Sequence, residues 1–166
     1  LGEVEECLDE LDGGPALSVL AENRDALSLG KELASLPLSR LFVGLYDLHL
    51  DMGSANLFFP LVDGTLDAFR AQYGGSFGVA GITLPHLGRP IPQKLLLAAM
   101  ARLKCDFGVG RNAFRHDIAI NRIGSAVQAI RKSFHGMCGR THGMVEADHI
   151  RLSNLVASMT VDEGVR

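Results

Sequence analysis

The chain has 166 residues, the size of one domain, and its 47% apolar and 21% charged residues allow a sizeable core and exclude a disordered segment. With 16 Lys plus Arg against 19 Asp plus Glu, the net charge of −3 carries no electrostatic footprint for nucleic acid. No apolar run approaches the roughly 20 residues that span a bilayer, and no basic-then-apolar leader is present, so the expectation is a cytoplasmic protein without a membrane partner.

The segment from Leu1 to Leu11 reads as a helix, with Val4, Leu8 and Leu11 at helical spacing between acids. After the Gly13-Gly14-Pro15 break comes a short apolar run, 16–21, ending at Glu22. Asn23 is placed to cap a helix over 25–34, and Pro37 closes it. A second run, 40–45, ends at Tyr46-Asp47, and a helix is expected over 60–72, with Leu61, Leu66 and Phe69 on one side. A third run covers 76–82. Pro92 suits the first position of a helix over 93–103, where its missing N–H has no partner to lose. A fourth run, 105–110, precedes two helices, 117–134 and 145–158, joined by the Gly/His-rich stretch 135–143. Ile118, Ile120, Ile123, Val127 and Ile130 form an apolar side on the first of these.

Strand and helix alternate every 25 to 35 residues, roughly, and the strand runs are apolar throughout, as when helices cover both faces of a parallel sheet. Four βα units fit a small doubly wound domain or half of a (β/α)8 barrel, which takes about 250 residues when whole. Either architecture binds ligands at the carboxyl ends of its strands. Standing there are Glu22, Tyr46-Asp47, Thr83 with His86, and Arg111-Asn112. Two carboxylates on adjacent strand tips, 25 residues apart, repel each other unless a cation joins them. Mg²⁺ or Mn²⁺ prefers oxygen and often takes only one or two carboxylates. The alternative is that Glu22 and Asp47 merely cap the turns they begin.

Leu41-Phe-Val-Gly-Leu-Tyr-Asp-Leu-His-Leu-Asp-Met-Gly53 resembles the signature strand and loop of the HpcH/HpaI aldolase/citrate lyase family: an apolar strand, Gly-x-x-Asp-Leu, then a further Asp and Gly. Ser18-Val-Leu-Ala-Glu-Asn23 resembles the family strand that ends in a metal-binding glutamate, although Thr usually stands where Asn23 does. Phe77 to Ile82 and Phe107 to Phe114 resemble the last two barrel strands. The resemblance implies an α/β fold of the TIM (β/α)8-barrel type, with residues 1–116 as its second half and 117–166 as C-terminal helices for packing or oligomerisation. It implies that Glu22 and Asp47 bind Mg²⁺, Mn²⁺ or another divalent cation. It also implies that Gly44, Tyr46 and Asp47 form the substrate-binding turn, the amides of Tyr46 and Asp47 facing the carboxylate of a 2-oxo acid. The implied activity is a C–C lyase or aldolase that works through a metal-stabilised enolate of a pyruvate-like acid, with an aldehyde or acyl partner. The family's catalytic arginine and base belong to the first half of the barrel and have no counterpart here. The alternatives are a non-catalytic relative serving as a binding or assembly module, and an acyl-CoA lyase of the same family. Because family members commonly exchange C-terminal helices, a homo-oligomer is expected, which would also cover the two open edges of a four-stranded sheet.

A Schiff-base lysine is the rival route to aldol chemistry. Lys31, Lys94 and Lys132 fall on expected helices and Lys104 precedes its strand, all away from the carboxyl ends. His49 reads as a solvated loop residue, and His86 and Arg89 stand near the pocket mouth. Arg111 and Asn112 could bind a phosphate or pair with acids. His135, His142 and His149, spaced by seven around Cys138, lack zinc-site spacing. Cys7, Cys105 and Cys138 read as buried thiols in a reducing compartment.

Overall fold

Successive side chains of a strand point to opposite faces. Val19, Ala21, Leu41, Val43, Phe77 and Val79 turn one way into the core, whereas Leu20, Phe42 and Ala80 turn the other way and stay partly exposed. The computed structural model describes the chain apart from residues 12, 13, 15, 113 and 160–166 and the side chains of 115 and 117. Within it, strands β1 (Ser18–Ala21), β2 (Arg40–Val43), β3 (Phe77–Ile82) and β4 (Phe107–Gly110) form one sheet in the order β1-β2-β3-β4, every pairing parallel. The order never reverses, so right-handed crossovers all return on the same side of the sheet.

Helix α1 (Gly2–Leu11) precedes the sheet and buries none of its residues fully. Helices α2 (Arg24–Ser28) and α3 (Gly30–Ser35) follow β1; α4 (Leu45–Asp51) follows β2 directly; and a 3₁₀ turn (Phe59–Leu61) leads to α5 (Thr65–Gln72). Helix α6 (Gln93–Arg102) joins β3 to β4, and α7 (Phe114–Asp117), a second 3₁₀ turn (Ile120–Arg122), α8 (Ile123–Cys138) and α9 (His142–Ser158) complete the described chain. Leu33 of α3, Leu66 and Phe69 of α5, and Leu97 and Met100 of α6 share one core with the inward strand residues. Each large apolar side chain buried there contributes about 1.5–3 kcal/mol. Phe69 stacks on Tyr73 at 5.6 Å between ring centres and meets Phe77 at 5.8 Å, seating α5 on β3. The Arg70 guanidinium donates to the carbonyls of Tyr73, Gly75, Leu103 and Lys104, tying together the ends of α5 and α6 where the chain enters β3 and β4. Helices α8 and α9 both pack on α6, and Leu152 and Val156 bring α9 into the core.

Several expectations are corrected. The sheet is covered on one face rather than both: the runs are apolar throughout because Leu20, Phe42 and Val109 line an open face and its cavity. The helix expected over 25–34 is two, broken at Leu29, whose ψ of 23° leaves the helical range. The helix expected over 60–72 starts only at Thr65, after the 3₁₀ turn and Gly64. Helix α8 continues to Cys138 and α9 begins at His142, so most of the Gly/His stretch is helical and only 139–141 link the two. Ile120, in the 3₁₀ turn, is 86% exposed and Ile123, the first residue of α8, is 38% exposed, so neither is buried with Ile118 and Ala126. Cys105 is buried, but Cys7 and Cys138 are exposed on helix surfaces. Gly13 and Pro15 of the expected break lie outside the described residues. Between β3 and β4 the pairing skips Gly81, at φ 110°, so Ala80 pairs with Val109 and Ile82 with Gly110. No helix among the described residues is long and apolar enough to cross a membrane.

Candidate functional site

Strand β1 ends at Ala21, which leaves Glu22 at its carboxyl tip, and β2 ends at Val43, one residue before Gly44 turns the chain into α4. The Gly44 N–H donates to the Ala21 carbonyl at 3.0 Å, carrying the strand pairing one step beyond the sheet and setting Gly44 beside Glu22. The fit is close. A Cβ on residue 44 would stand 2.6 Å from Glu22 Oε1 and 3.0 Å from Glu22 Cγ, so glycine lets this carboxyl rest where a larger residue would make it shift. Asp47 is the third residue of α4, and its carboxyl lies within hydrogen-bonding reach of Glu22. Partial burial, then the negative charge of Asp47 and the shared hydrogen bond, hold Glu22 above the usual glutamate range.

A second link fixes the same two segments. The Arg24 backbone N–H donates to Asp51 Oδ2 at 2.8 Å and its Nε at 3.3 Å, joining the start of α2 to the end of α4. The bond from the Arg24 N–H, seconded by its guanidinium, holds the Asp51 carboxyl below the usual range. Arg24 follows Glu22 by two positions and Asp51 lies one helical turn beyond Asp47, so this pair ties together the two segments that carry the acids. In the sequence Asp51 stands only within the segment that carries the resemblance, and nothing marks Arg24.

The acids open onto a cavity of about 430 Å³ at the carboxyl ends of all four strands. Leu20, Phe42, Ala80 and Val109 form its apolar floor. Glu22, Gly44, Tyr46 and Asp47 stand on one side, Arg111 and Asn112 follow β4, and Thr83, Arg89 and Gln93 belong to the connection from β3 into α6. Glu22, Gly44, Tyr46, Asp47, Arg89, Arg111 and Asn112, singled out in the sequence, therefore share one site. His49 does not join it. It sits in α4 rather than a solvated loop, is 4% exposed, and its Nδ1 donates to the Tyr46 carbonyl. His86 is exposed and borders a different hollow, with Ile118 and Ala126. Lys31, Lys94 and Lys132 lie on α3, α6 and α8, Lys104 precedes β4, and no lysine lines the acid-bearing cavity among the described residues.

Gln93 was read only as the start of a helix. It is 1% exposed, its N–H donates to the Leu87 carbonyl at 2.9 Å, and its Oε1 accepts the Thr83 N–H at 3.0 Å. Its Nε2 is buried with no hydrogen-bond acceptor among the described residues. A clue stood in the sequence: one uncharged polar residue between Ile91-Pro92 and the Leu95-Leu96-Leu97 run, where burial forces an amide to find partners.

Two adjacent carboxylates offer hard oxygen donors, and Glu22 is held above the usual range first by burial and then by the charge of Asp47. That donor set fits Mg²⁺ or Mn²⁺, which keeps water and substrate oxygens as its remaining ligands. No group of three or more His, Cys, Asp or Glu suited to a metal occurs among the described residues, so the protein's share would be these two carboxylates. The first-turn N–H groups of α4, including Tyr46 and Asp47, lie beyond the reach of intrahelical acceptors, beside the same acids. No protein-family model matches the chain, and no curated protein or solved structure shows significant similarity to it.

Proposed function

We propose that the chain carries the site of a divalent-metal-dependent C–C lyase or aldolase acting on a small 2-oxo acid, built on the second half of a (β/α)8-type barrel. The observation that carries this reading is the Glu22–Asp47 carboxyl pair at adjacent strand tips, with Gly44 beside the Glu22 carboxyl. The strand order supports the barrel: four parallel strands in sequential order, with one face covered and one open, are what half of such a barrel presents.

In this reading Glu22 and Asp47 hold Mg²⁺ or Mn²⁺. The cation supplies Lewis acidity at the keto oxygen as the C–C bond is made or broken. The N–H groups of Tyr46 and Asp47 receive the substrate carboxylate at the start of α4, where backbone donors need acceptors. Leu20, Phe42 and Val109 keep the reacting end against apolar surface, which strengthens every polar contact around it. Arg89 adds positive charge at the rim for an anionic substrate.

Calorimetry with Mn²⁺, with and without pyruvate, tests the reading. Binding of Mn²⁺ should strengthen when pyruvate is present and fall by about a hundredfold in Glu22→Gln and in Asp47→Asn. A folded chain whose Mn²⁺ affinity is indifferent to both substitutions would defeat the proposal. A second reading, a binding module without catalysis, is favoured by one feature: neither histidine nor lysine lines the cavity among the described residues. Pyruvate binding without exchange of its methyl protons in the presence of Mn²⁺ would select that reading.

A further inference from the structure

The charges of the chain are divided along its length. Residues 1–83 hold 13 of its acids and 4 of its Lys and Arg, whereas residues 84–166 hold 6 and 12, net −9 against +6. Each half leaves part of that charge on one surface. In the first half it is α1, which carries Glu3, Glu5, Glu6, Asp9 and Glu10, no basic residue, and no ion pair among the described residues. Val4, Leu8 and Leu11 form an apolar stripe along the helix and are only half-buried. Helical geometry puts Glu3 on one flank of that stripe and Glu5 with Asp9 on the other.

In the second half it is a groove of about 800 Å³ between α8, the starts of α6 and α9, and the segment after β3. Leu84, Met137 and Met144 give it an apolar floor, with Met144 46% exposed. Ala129, Ser133 and Gly136 line it from α8, and such small side chains let a second helix come close. His86, Lys94, Lys132 and Arg140 stand around it, and no acid lines it among the described residues. Arg140 is paired with Asp148, but Lys94 and Lys132 are exposed without an ion-pair partner among the described residues. No residue of α1 lines the groove of its own chain. The helix leads into β1, at one edge of the sheet, whereas α6 joins β3 to β4 at the other and carries α8.

We infer that this groove binds α1 of a second copy of the chain, so that two copies form a dimer in which each seats its α1 in the other. The apolar stripe meets the floor, as when an amphipathic helix lies in an apolar groove, and the flanking acids meet Lys94 and Lys132 at the rim. A two-fold axis satisfies both surfaces of both copies at once. The inference is independent of the metal-site reading, since neither surface contains Glu22 or Asp47.

Light scattering coupled to gel filtration, over a range of protein and salt concentrations, tests the inference on the full chain. The native chain should run as a dimer at low salt and dissociate more readily as salt rises. One variant combines Glu3→Lys, Glu5→Lys and Asp9→Lys, and the other combines Lys94→Glu and Lys132→Glu. Each should dimerise about tenfold more weakly or worse, because like charges now face each other. An equimolar mixture of the two should recover the native mass, since each altered surface then meets its complement. Circular dichroism checks that both variants keep their helices, and the second leaves α1 untouched, so loss of that helix cannot account for its effect. A native chain that stays monomeric overturns the inference. So does a dimer that either set of changes leaves intact, or a mixture that recovers nothing.

Discussion

Gly44 shows how much a single hydrogen atom can decide. The position is no tight turn: its φ of −87° and ψ of 103° suit any residue, so its preference for glycine comes from its neighbours, first the Glu22 carboxyl and then Leu20 Cδ1 at 3.2 Å. Gly44→Ala should therefore leave the helix and the sheet in place while displacing Glu22, since the new methyl would lie 2.6 Å from Oε1. Mn²⁺ affinity should drop about tenfold or more, with a stability loss of about 1 kcal/mol, read by calorimetry and urea unfolding on the same sample. Unchanged affinity would mean that Glu22 has a second resting place from which it serves equally well. The residue-scale contrast with His49 is instructive. Both stand within five positions in the sequence, yet His49 faces inward and is committed to the Tyr46 carbonyl, so its chemistry is structural.

At the scale of elements, burial separates the three thiols. Cys105 lies between α6 and β4, and burial pushes its thiol up to about 12, leaving almost no thiolate at neutral pH. Iodoacetamide should label Cys7 and Cys138 in the native chain and Cys105 about a hundredfold more slowly, with all three equal in urea; mass spectrometry of timed samples reads this directly. Much of the element pattern was legible beforehand. The four strands fall within two residues of their apolar runs, the Asn23 side chain accepts the Ala26 N–H as a cap should, and Leu61, Leu66 and Phe69 are buried together. The acid pair was legible too, because strand tips collect residues by topology rather than by distance along the chain. What escaped were features decided by contacts between elements. Helix α4 begins at the last residue of the second run and takes in what read as a loop, since its seven residues are too few to show a period. The open face of the sheet was hidden because Leu20 and Phe42 are as apolar as residues of a closed one. Gln93 looked like any polar residue in a first helical turn, and only the Thr83 N–H opposite it gives it a purpose.

At the scale of the whole molecule, the acid pair couples the site to stability. A carboxyl whose value is raised in the folded state favours folding while it is protonated; that contribution is complete below the ordinary glutamate value and fades as pH rises through the raised one. Between those two values Glu22 therefore makes the cation-free chain less stable as pH rises, and above the raised value its penalty stays constant. Urea titrations across that acid-to-neutral range should show Glu22→Gln with a flatter pH dependence and greater stability at neutral pH than the native chain. Saturating Mn²⁺ should reverse the order, because it binds the ionised pair of the folded state. A native profile identical to that of Glu22→Gln would show that the two carboxyls do not repel in solution. The site and the fold thus make opposite demands on the same side chain, as happens where groups are placed for ligands rather than for packing.

The skipped residue in β3 has a consequence for insertion and deletion. Gly81 sits between two regularly paired positions, so removing it would let Ala80 and Ile82 follow each other as ordinary neighbours, each still facing the side it faces now. Replacing it is another matter. A side chain at φ 110° carries backbone strain of about 1–3 kcal/mol, even though a Cβ would meet only Leu96 Cδ2, at 3.6 Å. A gene that loses this codon should encode a sturdier protein than one that changes it to alanine, with the damage from the loss confined to the Thr83–Gln93 wall that the shorter strand drags inward.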